Sequence, residues 1–126
     1  MIRYSYQTQL QPPAPFVYVT LRNPLTGAEQ RDVPAQIDSA ADRTVLPDTV
    51  IQALSLPQIG TIAIAGVGGV IQNMPSYPVE LGIHTLSARL VEVEGSPGES
   101  WVLLGRDILN AHTLLLAGPQ NFLEVG

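Results

Sequence analysis

The chain predicts an all-β domain carrying one or two short helices, and three observations carry that prediction. Hydrophobic residues fill 45% of its 126 positions and charged ones only 13%, enough apolar material to bury one real core. Eleven glycines and eleven prolines punctuate the sequence, which favours many short elements over a few long helices. Between these breakers lie short runs rich in valine, isoleucine, leucine, threonine and aromatic residues, the material of strands.

Residues 1–15 are polar and then proline-rich without a period, and are expected to form an N-terminal arm ahead of a single domain over 16–126. Residues 16–21 (FVYVTL) predict a strand, and the Asn-Pro-Leu-Thr-Gly after it is turn chemistry, so a hairpin partner is expected over 30–37. Residues 44–46 predict a further strand. Past Pro47, the apolar positions Val50, Ile51 and Leu54 share one face of a short helix that stops near Pro57.

Residues 59–65 predict the next strand. Three glycines within four residues then mark a flexible hairpin tip before the apolar, β-prone 70–73. A phosphate-cradling loop would need a helix to begin directly after those glycines, but a strand signal ending in proline occupies that place. Residues 77–83 and 86–93 predict another strand pair turning near Gly82 to His84. Residues 94–100 (EGSPGES) predict a solvated loop. Residues 101–104 suit one buried strand, 105–110 a tight turn into a short helix, and 113–125 a final hairpin.

Composition excludes whole classes of chemistry. All six basic residues (Arg3, Arg22, Arg31, Arg43, Arg89, Arg106) are arginines scattered along a chain of net charge −5, so no nucleic-acid footprint exists. Without lysine there is no Schiff base, and without cysteine no thiolate nucleophile, thiolate ligand or disulfide. His84 and His112 lack metal-ligand spacing, so neither a metal nor a cofactor is expected. The glutamates Glu80, Glu92, Glu94 and Glu99 read as polar faces of strands and loops. No signal peptide and no bilayer-length apolar run occurs in the chain, which is expected to be soluble, cytoplasmic and without a membrane partner.

Chemistry concentrates at Asp38. It directly follows an apolar run, where desolvating a carboxylate is costly unless something compensates, and it is followed by the hydroxyl of Ser39. Taken alone, the pair also suits an ordinary hydrogen-bonded turn.

Four pieces, in order, resemble the retropepsin-like aspartic peptidases. IDSAADRTVLP is similar to that family's apolar-Asp-Thr/Ser-Gly-Ala signature, a short helix comes next, AGVGGVIQ resembles its flap, and VLLGRDIL resembles its apolar-Gly-Arg-Asp segment before a terminal helix. The match spans residues 16–110. It implies a closed, mostly antiparallel acid-protease-type barrel in which Asp38 is catalytic. By the same resemblance, Ser39 would bond across a two-fold axis, and Asp42 and Arg106 would pair within one subunit. Gly66, Val67, Gly68, Gly69, Val70 and Ile71 would form a flap over an extended polypeptide substrate, with apolar subsite walls drawn from Val67, Val70, Ile71, Leu103 and Leu104.

Only one Asp-Ser-Ala occurs and no internal repeat supplies another, so one chain holds half a carboxylate pair. The resemblance therefore implies a homodimeric aspartic endopeptidase, with a non-catalytic dimerisation or peptide-binding module as the alternative. Viral members interleave their terminal strands. Here the tail is long enough for its own hairpin, and residues 114–116 with Phe122 and Leu123 are expected near the subunit interface. Ala40 departs from the family pattern, which usually has glycine there. Alanine would strain the loop if that position required positive φ or very close backbone approach.

Overall fold

The computed structural model describes residues 1–126, the side chain of Val67 excepted, so that part of the expected flap lies outside the described residues. Ten strands and two short helices are arranged along the chain as β1 (Ile2–Ser5), β2 (Phe16–Arg22), β3 (Glu29–Ile37), β4 (Val45–Pro47), α1 (Asp48–Ala53), β5 (Gly60–Ala65), β6 (Ile71–Ile83), β7 (Arg89–Ser96), β8 (Val102–Leu104), α2 (Arg106–Leu109), β9 (Leu114–Ala117) and β10 (Phe122–Val125).

Six strands close into a barrel. The order β2-β3-β8-β4-β7-β6 returns to its start because β6 also pairs with β2, and β5 extends β6 beyond the closure. Closure leaves fewer open edges. Pairing is mostly antiparallel, as expected, but β3 runs parallel to β8 and β4 parallel to β7. The β3–β8 pairing sets Ile37 against Leu104, so both strands end on the same side. Asp38 and Gly105, the next residues along, therefore emerge together although 67 positions separate Ser39 from Arg106.

The barrel interior is filled from every wall. Val17, Val19 and Leu21 of β2 meet Val79, Leu81 and Ile83 of β6, Val93 of β7 and Leu104 of β8, all essentially shut off from solvent. Ile108 and Leu109 of α2 and Ile51 of α1 plug into the same cluster. Each such side chain contributes about 1.5–3 kcal/mol by leaving water. Leu104 belongs wholly to this core, so it cannot line a substrate cleft as expected, whereas Leu103 is half-buried.

Other differences from the sequence expectation have local causes. The two predicted strands over 70–73 and 77–83 are one strand, β6, running through Pro75 and Pro78. Pro75 pairs only with Thr61 of β5, and Pro78 only with Glu92 of β7, so at each proline one side of the strand carries no ladder. A residue without an N–H is tolerated there. Glu94, expected in a loop, belongs to β7 and pairs with Val45. The stretch expected as an arm carries β1, which pairs with β10 of the same chain, and β9 completes this second sheet. No described helix is long and apolar enough to cross a membrane.

Candidate active site

Asp38 opens a tight turn at the end of β3. Its amide donates to the Leu104 carbonyl at 3.0 Å, and its own carbonyl accepts from the Ala41 amide at 3.1 Å, closing the turn over Ser39 and Ala40. The Asp38 side chain is half-buried, and among the described residues no hydrogen bond or ion pair engages its carboxylate. Ser39 and Ala40 are exposed beside it. The non-glycine residues with positive φ are Asp32, Ser55, His84 and Asn121. Ala40 is not one of them, so its backbone makes no demand for glycine within one chain.

The turn is held from behind by the segment that leaves β8. The Arg106 amide donates to the Ala41 carbonyl at 2.9 Å, Arg106 Nη1 to the Ser39 carbonyl at 2.9 Å, and Arg106 Nη2 to Asp42 Oδ1. Asp42 is largely exposed and Arg106 nearly half so. The ion pair itself thus adds little stability, and its effect is geometric: one guanidinium ties two points of the loop.

A buried clamp lies one step further along, and the sequence reading missed it. Thr44 is fully buried; its hydroxyl donates to Asp107 Oδ1 at 2.7 Å and accepts from the Gly105 amide at 3.2 Å. The Thr44 amide reaches Asp107 Oδ2 at 3.0 Å. Gly105 makes the crossing possible, because a methyl there would sit 2.6 Å from the Arg43 carbonyl oxygen and closer still to its carbonyl carbon. The Gly-Arg-Asp order was the available signal, but nothing local ties it to Thr44.

Opposite the turn stands the β5–β6 hairpin. Its tip is closed by the Gly66 amide on the Val70 carbonyl at 2.9 Å, and Gly68 and Gly69 have φ of 83° and 75°. Val70 and Ile71 project into solvent, 61% and 70% exposed. Between this hairpin and the loop lies a cavity of about 420 Å³, walled by residues 40–43 on one side and 62–65 on the other, with Val45 and Glu94 completing it. Burial, reinforced by the nearby charge of Glu99, raises the Glu94 carboxyl above the usual carboxylate range. His84 lies in the turn after β6 and His112 beyond α2.

Comparisons with solved structures agree on this architecture. The chain is similar to EIAV protease in complex with the inhibitor HBY-793, at 22% identity and a TM-score of 0.59 over 78% of this chain and 86% of that one. It is similar to the simian foamy virus (mac) protease, at 19% identity and a TM-score of 0.54 over 75% and 91%. A retropepsin-like aspartic protease from Rickettsia conorii superposes on 99% of this chain and 91% of its own, with a TM-score of 0.63 and 8% identity. No family model and no curated protein matches the sequence. The fold is retropepsin-like.

Proposed function

We propose that the chain is a homodimeric aspartic endopeptidase whose active site forms when Asp38 of two copies meets across a two-fold axis. The observation that carries this reading is the state of Asp38: a half-buried carboxylate without a partner among the described residues, on a braced turn whose next residues, 40–43, wall a cleft opposite a hairpin, and present once per chain. A carboxylate so exposed to its neighbours and so firmly held is arranged for chemistry more than for stability.

Two carboxyls brought together hold one proton between them, because like charges that close cannot both stay ionised. The ionised one takes a proton from water as its oxygen attacks the peptide carbonyl carbon. The protonated one gives its proton to the carbonyl oxygen. Collapse of the tetrahedral intermediate breaks the C–N bond while the leaving nitrogen receives a proton, and the pair is restored with one proton. Activity therefore favours acidic pH. The β5–β6 hairpin acts as the flap, bonding the substrate backbone as an added strand and excluding water.

The terminal sheet supports a particular mode of assembly. Because β10 lies between β1 and β9, both of these are edge strands, and β9 is the one that carries an apolar pair, Leu115 and Leu116, about half exposed. Leu123 is buried in its own core and is not free for a partner, whereas Phe122 is half-buried with Arg3 lying 3.9 Å over its ring. Docking along β9 is the proposed contact.

A mixed peptide library incubated with wild type and Asp38→Asn from about pH 4 to pH 7 tests the reading, this being the range in which such a pair works. Cleavage by wild type alone is expected, strongest at the acidic end. Absent cleavage would overturn it in favour of a non-catalytic peptide-binding module, and equal cleavage by both proteins would overturn the role of Asp38.

A further inference from the structure

We propose that Glu94 makes the cleft beside Asp38 selective for a basic side chain, lysine or arginine, of an extended polypeptide, a conclusion that rests on the endopeptidase reading above.

Three charged side chains line this cleft, Asp42, Arg43 and Glu94, and two are already occupied. Asp42 is taken by Arg106. Arg43 reaches Glu92 at 3.6 Å, and Glu92 also accepts the Ser76 hydroxyl at 2.9 Å. Glu94 stands two positions along the same face of β7, and among the described residues no side chain bonds or pairs with its carboxylate. With those pairs cancelled, Glu94 and the Glu99 that acts on it leave the cleft acidic.

Shape agrees with charge. The remaining wall is short and apolar: Ala40 and Ala41 on the loop, Val45 below, and the half-buried Ile62 and Ile64 on the hairpin. Lysine and arginine have that same division, a methylene stem that prefers apolar surface and a cationic head that needs an acceptor. An acidic side chain entering here meets an unpaired carboxylate and is repelled. Half-burial of Glu94 makes its charge costly when the cleft is empty, and an arriving cation offsets that cost. The site lies within two residues of Asp38 along the loop, so a chain crossing Asp38 in extended form passes over it.

The experiment uses a positional-scanning peptide library with two readouts on the full chain: cleavage by wild type, and capture by Asp38→Asn. Lysine or arginine is expected to be enriched over norleucine at one position by at least about tenfold, the scale of a charge-assisted hydrogen bond in a partly dried site. Glu94→Gln, which keeps the shape, should bring that ratio close to parity, and Glu94→Lys should turn the preference toward aspartate and glutamate. Selective capture without any cleavage would support the basic pocket while overturning the endopeptidase reading. A basic preference that survives Glu94→Gln, or that is missing from both readouts, including through failure to capture any peptide, would overturn the proposal.

Discussion

The loop that presents Asp38 and the hairpin that faces it are built in opposite ways. Around the loop, backbone and side-chain bonds with Gly105, Arg106 and Asp107 converge on residues 39–44, and Gly105 packs against the Arg43 backbone too tightly to accept a methyl. At the hairpin tip, Gly68 and Gly69 have nothing within 4 Å of where a side chain would begin, and Val70 and Ile71 project into water. Reacting groups must be held to within a fraction of an ångström, whereas a cover must open for a long substrate to enter. On the proposed reading, this difference lets one small barrel provide both.

The comparison breaks most severely at Gly105. Gly105→Ala forces the Arg43 carbonyl to move, and a loss of about 3 kcal/mol is expected, read as a lowered urea midpoint. Thr44→Val comes next, since it keeps the shape but leaves Asp107 Oδ1 and the Gly105 amide without their buried partner. About 2 kcal/mol should be lost, along with peptide cleavage. An unchanged midpoint in either variant would mean that the clamp does not brace the loop.

At the hairpin the same kind of substitution should behave differently. Gly69→Ala places a methyl at a φ of 75°, which costs about 1 kcal/mol locally, but the tip has room to shift without disturbing the barrel. The urea midpoint should hardly move while kcat/KM falls. A global loss as large as that of Thr44→Val would show that the hairpin is part of the rigid body.

The smallest expected effect is a pH slope from Glu94. Its carboxyl is raised in the folded chain by burial and, second, by Glu99, so the folded state binds this proton more readily than the unfolded one. Stability from this group is full below the ordinary glutamate value and is lost as pH rises through the raised one. Glu94→Gln should therefore gain a little stability at neutral pH and none in acid, as seen in urea midpoints between about pH 4 and pH 7. A gain of equal size in acid would contradict the burial account.

Much of this was legible from the sequence because it is local. Residues 16–21, 59–65 and 101–104 announce their strands by composition, Asn23 to Gly27 announce a turn, and Asp38 stands out as an acid at the exit of an apolar run. What stayed hidden depends on partners far along the chain. Thr44 carries no mark of its bond to Asp107, 63 residues away, and the parallel pairing that brings Asp38 beside Gly105 has no short-range signature. Glu94 was masked by its neighbours Gly-Ser-Pro-Gly, whose turn chemistry concealed the last residues of β7, and Pro75 suggested a break where β6 merely lacks a second partner. Whether Ala40 sits at positive φ is answered by a backbone angle that residue identity alone does not report.

The central claim is that two chains each contribute one Asp38 to a single site, and mixing tests it most directly. Wild type and Asp38→Asn are unfolded together, refolded in equal amounts and assayed against a cleaved peptide. Random pairing into two-chain sites predicts that activity falls to about a quarter of that given by the same total amount of wild type. A fall to only about half, the value for chains that work independently, would contradict the shared site.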